Sequence, residues 1–481
     1  MTPASTIAPR APKASTRGAA SSTSTSSPAS GGELAPAALA RLRESFTASA
    51  ACKLAQNAVT QTSIDDVALN RAVVTQMDHT FSHVLDDWSC TNQKKSGRCW
   101  CFAGLNLFRA GAMKKMNVKD FEFSQNFTLF WDKLERANYF LEAIIETAAL
   151  DVDDRTVAFL LDRPLDDGGQ WNMFINIVKK HGLAPKAAMP ETESSSNTAK
   201  MNTNLKARLR EAAKALRSLR GSGAPMEAVR AAKDEIIADL HRILCIHLGT
   251  PPDRFLWQWN DKDRKFTRDG ELTPQEFARK YVGLDLEDYV CLVNDPRPTS
   301  PFNRTFTVKH LGNVVGGEPV RYLNVDIDVM KDVAMRTIMA GEPVWFGCDV
   351  GKMMHRDKGL WDARLFDYEA VYDTRFTLDK ADRLVHHQTL MTHAMLFTGV
   401  DVIDGARGTP GRARRWRVEN SWGEEGGKKG FYIMNDSWFD EHMFEIAAKR
   451  SMLPESLRDA IEQEPIVLPP WDPMGSLARS A

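Results

Sequence analysis

The sequence predicts an α+β fold in segregated layers, a helical first half followed by a sheet-rich second half. Three observations predict it. Apolar residues recur at helical spacing in one segment after another up to about residue 250. Strand character begins at Phe255-Leu-Trp-Gln-Trp and continues in apolar runs such as Val344–Val350. Gly405-Ala-Arg-Gly-Thr-Pro-Gly411, a turn-rich hairpin connection, separates two of the later runs. Helices and strands do not alternate as in βαβ units, and the chain shows no internal repeat.

Residues 1–33 are rich in Ser, Thr, Ala, Pro and Gly, with basic Arg10, Lys13 and Arg17 and no acid before Glu33. Such a segment cannot bury enough apolar surface to offset chain entropy, so it is expected to be disordered. An organellar transit peptide has a similar composition, but the regular amphipathic face is missing, and a flexible cytosolic tail is the favoured reading. From Leu34 to Asp78 the chain reads as helices broken at Thr60–Asp65. A helix follows Cys99 on the apolar pattern Phe102, Leu105, Phe108 and Ala112. Ser124 caps the next, and Trp171–Lys180 reads as another behind the loop Asp166-Asp-Gly-Gly-Gln-Trp171. Leu205–Leu219 and Met226–Ile246 form two more around a Gly-Ser-Gly break. Leu390–Val402 and Trp416–Glu419 read as strands joined by the Gly-rich hairpin.

At 481 residues, 43% hydrophobic and 26% charged, the composition is that of a globular protein with one large domain or two to three ordinary ones. A formal net charge of −1 implies neither a nucleic-acid nor a membrane partner. No apolar run approaches the roughly 18–20 residues of a membrane span, and no secretory signal is expected. Seven scattered cysteines, an odd number, predict a reduced cytoplasmic inventory rather than a disulfide framework. Cys99 and Cys101 lack zinc-ligand spacing, so neither metal nor cofactor is expected.

Cys99 stands where a polar, Gly-containing loop meets a helix. Unpaired N–H groups and the helix dipole there favour the thiolate. A thiol nucleophile needs a base, and the base needs an orienting group. His393 begins one apolar strand and Asn420 ends another across the hairpin. If these strands pair antiparallel, Asn420 orients one imidazole nitrogen and leaves the other for the thiol. A neutral orienter suits a thiolate–imidazolium pair. Trp422 then covers the Asn–His hydrogen bond, and Gln93 with the Cys99 N–H supplies an oxyanion hole. His386 and His387 compete as bases but lie among polar residues.

Gln93-Lys-Lys-Ser-Gly-Arg-Cys-Trp-Cys-Phe, Met391-Thr-His-Ala-Met and Glu419-Asn-Ser-Trp-Gly resemble the three active-site blocks of papain-like cysteine peptidases, more narrowly those of the bleomycin hydrolase/aminopeptidase C branch. General papain-type enzymes place the histidine about 130–150 residues after the cysteine; here the gap from Cys99 to His393 is 294 residues, room for a long helical insertion. Phe123-Ser-Gln-Asn-Phe, Pro343–Gly351, Leu365-Phe-Asp-Tyr368 and Asp472–Ala478 extend the resemblance over roughly residues 40–481.

The resemblance implies a papain-like two-domain fold with the site in the cleft. The chain then divides into the tail 1–33, a helical catalytic domain 34–192, a helical insertion 193–250, a β-rich domain 251–465 and a C-terminal arm 466–481. It further implies cysteine aminopeptidase activity on peptides and a homohexamer with sites facing an inner chamber. Gly168 and Gly169 are implied as the wall along which substrate backbone pairs. The arm's terminal carboxylate is implied to hold the substrate's α-ammonium, with Ala478 and Ala481 as the candidate positions. The branch ends near the position of Ala478, whereas Arg479-Ser480-Ala481 follow here, reaching about 10 Å further. Self-trimming after Ala478 or Arg479 is therefore expected, with a bent tail as the alternative. Other readings are a cysteine endopeptidase and a self-assembling nucleic-acid-binding protein. The last would rest on two basic stretches, Lys206, Arg208, Arg210, Lys214, Arg217 and Arg220, and Arg407, Arg412, Arg414, Arg415 and Arg417. Solvated faces or intersubunit ion pairs are the expected role of both.

Overall fold

The structure is a computed structural model in which residues 32–85, 88–403 and 411–478 are described. The expectations for the tail up to residue 31, the hairpin tip with Arg407, and Arg479 to Ala481 lie outside the described residues.

Five long helices form the first layer: Cys99–Met116, Gln125–Glu146, Trp171–His181, Ala199–Gly221 and Met226–Leu248. Their ends follow local chemistry. Ser124 accepts the Phe127 N–H at the start of the second helix, and Asn117 ends the first in the left-handed region at φ 55°. The first helix buries residues on nearly every side, which is why its apolar pattern is almost continuous. Ala199–Gly221 buries a single stripe, Leu205, Leu209, Ala212 and Leu216.

Three basic residues of that helix reach neighbouring segments of the chain. Arg210 donates to the carbonyls of Leu161 and Asp162, and Arg217 to those of Thr147 and Leu150. Both satisfy carbonyls that a helix leaves open at its C-terminus. Arg208 pairs with Asp239 on the adjacent helix.

The second layer is a sheet of twelve strands among the described residues. Its centre runs Met443–Lys449, Val344–Cys348, His393–Ile403 and Arg412–Glu419, all antiparallel to their neighbours. All five residues of Val344–Cys348 are buried, so this part of the sheet must be covered on both faces. The helix Cys99–Met116 covers one face, against Ala394, Leu396 and Trp345. The helix Ile327–Met339 covers the other, where Met395, Phe397 and Phe346 point. A two-sided apolar sheet needs a second helical cover, so helices lie on both of its faces.

Phe255–Asn260 and Phe266–Leu272 form a separate hairpin whose Trp257 and Trp259 pack against Phe277 and Tyr281. The N-terminal helices Pro36–Ala48 and Ala50–Val59 bury none of their residues.

Candidate active site

Cys99 is the first residue of its helix, and the N-cap Arg98 offers no side-chain cap. The loop before it is held on all sides. Gln93 and Ser96 exchange hydrogen bonds, side-chain Nε2 to Ser96 O and Ser96 Oγ to Gln93 O. Arg98 donates to both carboxylate oxygens of Glu191. The Gly97 N–H donates to Asp167 Oδ2 at 3.1 Å. Burial pushes Asp167 up, but Lys133, Thr198 and Asn202 outweigh it and hold the carboxyl well below its ordinary range. The thiol is fully buried; its Sγ accepts the Ala394 N–H at 3.4 Å and lies 3.4 Å from the carbonyl oxygen of Ala478.

The two strands pair antiparallel with Leu396 opposite Glu419, and beyond that pair His393 and Asn420 meet, Nε2 to Oδ1 at 2.9 Å. Asn420 Oδ1 also accepts the Ser421 N–H at 2.7 Å, which sets the amide's orientation. Nδ1 of His393 is buried with no hydrogen-bond partner among the described residues. Burial pushes the imidazole down to about 4, against the Asn420 bond, which raises it. Trp422 lies over the histidine with ring centres 5.0 Å apart. Gln93 lies beside the same turn: its Oε1 accepts from Ser421 Oγ at 2.6 Å and its N–H donates to Ser421 O at 2.8 Å. His386 and His387 are exposed.

Gly168 and Gly169 are buried along the cleft. A Cβ on Gly169 would meet the Trp100 ring at 2.5 Å, so only glycine lets the chain run that close. The C-terminal arm pairs with this wall: the Ala478 N–H donates to Gly169 O at 3.3 Å in an antiparallel bridge. Gln170 donates to Ser476 O, and Ser476 Oγ donates to Met391 O. Tyr322 donates to Met474 O, and Arg297 pairs with Asp472. Ala478 is fully buried; Ala481 lies outside the described residues.

Sequence reasoning missed one group, Glu419. It accepts from Trp88 Nε1 at 2.6 Å, Asn106 Nδ2 at 2.9 Å and Arg109 at 2.7 Å. It thereby ties the segment before Gln93 and the helix of Cys99 to the strand of Asn420. The signal available was a glutamate after Trp416 and Val418 in the strand that leads to Asn420, where a buried charge demands a partner.

The basic hairpin is engaged within the chain. Arg415 pairs with Asp78, Arg414 with Asp401, and Arg417 lies over the Phe431 ring.

The Peptidase C1-like family profile matches residues 33–475. The human protein named bleomycin hydrolase is 45% identical over 433 residues, 89% of this chain and 94% of its own length. Aminopeptidase C of Listeria monocytogenes is 45% identical over 398 residues, 83% of this chain and 88% of its own. The crystal structure of PepW from Lactobacillus rhamnosis HN001 superposes with a TM-score of 0.90 at 44% identity, covering 93% of this chain and all of the other.

Proposed function

Because the chain belongs to the Peptidase C1-like family, we propose that it is a cysteine aminopeptidase removing N-terminal residues from peptides. One observation carries the reading: a strand of the chain's own arm lies in the cleft with the Ala478 carbonyl at the Cys99 thiol. The arm takes the place of whatever precedes the scissile bond, which excludes a substrate that continues as an extended chain in that direction.

Cys99 gives its proton to His393, and the thiolate attacks the carbonyl. Asn420 holds the imidazole so that its second nitrogen serves the thiol. Burial disfavours an isolated imidazolium, so the proton moves as the thiolate forms beside it. Gln93 and the Cys99 N–H receive the oxyanion. His393 then protonates the leaving amine, and water releases the acyl group. Trp422 keeps solvent from the Asn–His pair. Gly168 and Gly169 line the backbone path.

The decisive experiment compares peptides with free and acetylated N-termini, with Cys99→Ala as control. Cleavage of the free form alone is expected; equal cleavage of both would make the enzyme an endopeptidase.

The carbonyl at the thiol belongs to Ala478, which Arg479 follows in the sequence. Self-cleavage there would leave an Ala478 carboxylate to receive a substrate's α-ammonium. Intact mass should show wild type shortened after Ala478 and Cys99→Ala whole; an uncut tail in active wild type rules this out.

Assembly into a homohexamer fits the exposed Leu42, Phe46 and Leu54 on helices that bury nothing of their own. No helix among the described residues is long and apolar enough to cross a membrane. A cytoplasmic setting fits seven free cysteines.

A further inference from the structure

The arm shows which way a chain runs through the cleft. It passes Gln170 and Gly169 and brings its carbonyl to Cys99, so residues before the scissile bond lie on the glycine side. Residues after it must leave past His393, which protonates the departing amine. The wall on that side is Trp422, packed on the imidazole at 5.0 Å.

Arg356 lies on Trp422, its guanidinium 4.9 Å from the ring centre. The two stacking distances, 5.0 Å and 4.9 Å, put this charge no more than about 10 Å from the imidazole, the span of about three extended residues. The loop that carries it is held: its carbonyl accepts the Gly359 N–H at 3.1 Å, and the Lys358 N–H reaches His355 Nδ1. A guanidinium stacked on an indole keeps its in-plane N–H groups available for a planar anion. Arg356 is exposed and forms no ion pair with a carboxylate among the described residues.

A second cation follows the segment that pairs with Trp422. Asn92 pairs with Trp422, and the next turn raises Lys94, exposed and held at φ 54° by the bond from its N–H to Asn92 Oδ1. Asp357 next to Arg356, and Glu424 and Glu425 just after Trp422, are exposed, so the charge near this seat is mixed in sign and selection rests on Arg356 and its seat rather than on bulk charge.

We propose that Arg356, seated on Trp422, is a specificity-determining residue that binds a carboxylate within the first three residues after the scissile bond. The carboxylate comes from an acidic side chain or from the terminus of a short peptide. The proposal rests on the aminopeptidase reading.

The test measures kcat/KM on tripeptides with one N-terminal residue throughout. One pair compares a free C-terminus with its amide; the other, on amidated peptides, compares Glu with Gln at the second position. Wild type should favour the carboxylate member by about fivefold, the size of an exposed charge pair, with the preference shrinking as salt rises. The arm that shows it identifies the source. Arg356→Gln should bring the ratio to about one, and Arg356→Lys should retain part of it. An unchanged ratio in Arg356→Gln, or no preference in wild type, overturns the assignment. Absence of cleavage of every unblocked peptide would instead refute the aminopeptidase reading, and the proposal would fall with it.

Discussion

Glu419 and Glu445 are both sealed in the sheet at 2% exposure, yet they stand in opposite company. Glu419 receives three side-chain donors, one of them the buried guanidinium of Arg109. Glu445 meets only the Cys291 thiol, and one of its carboxyl oxygens has no partner among the described residues. Burial pushes both carboxyls upward; at Glu419 Arg109, Trp88 and Arg417 pull back, whereas Glu445 rises to about 8. A buried charge persists where it can organise donors from several segments. Where no cation is present, the acid keeps its proton instead. The difference matters for the site because Glu419 joins the segments of Gln93, Cys99 and Asn420, while Glu445 borders the seat of the arm with Gln170, Tyr322 and Met474.

The largest effect should come from breaking the first arrangement. Glu419→Ala leaves Arg109 buried without its carboxylate and should cost about 3–5 kcal/mol in chemical denaturation. The accompanying fall in kcat should exceed any rise in KM, since the segments of Gln93, Cys99 and Asn420 lose a shared anchor. Pairing Glu419→Gln with Arg109→Met should recover most of the stability, because both charges leave together. A loss equal to the sum of the single changes would show that the pair does not act as a unit.

The effect of Glu445→Gln should be smallest at acid pH and should grow as pH rises. The folded acid holds its proton to about 8, against an ordinary value of 4.5. The folded state therefore binds the extra proton across that window, and wild-type stability falls as pH rises through it. At pH 4 the variant should match wild type within about 1 kcal/mol. By pH 9 the variant should be the more stable, as read from denaturant midpoints. Parallel pH profiles for the two proteins would mean that Glu445 ionises freely.

Much of the helical layer was legible because its signals are local. Ser124 caps its helix from one residue away, and the apolar stripe of Ala199–Gly221 repeats at helical spacing. The local setting of Cys99, His393 and Asn420 was legible for the same reason. Cys99 starts a helix, and His393 and Asn420 lie at strand ends beside a turn. The helical cover on the far face of the sheet was not legible, since the apolar run at Val344–Cys348 does not say what packs on either side. Arg210 and Arg217 read as surface charge because the carbonyls they cap lie on helices remote in sequence.

By itself the sequence determined the chemical inventory: a thiol at a helix start, an imidazole and an amide on strands able to pair, and glycines beside the cleft. Those depend on residue type and on interactions within a few positions. Only the tertiary structure decided how the inventory is held and shielded. The Glu419 contacts join residues 313 and 331 positions apart, and the Ala478 carbonyl reaches a thiol 379 positions away. Such contacts close long loops, whose entropic cost is repaid only when the whole core packs, so no local pattern announces them.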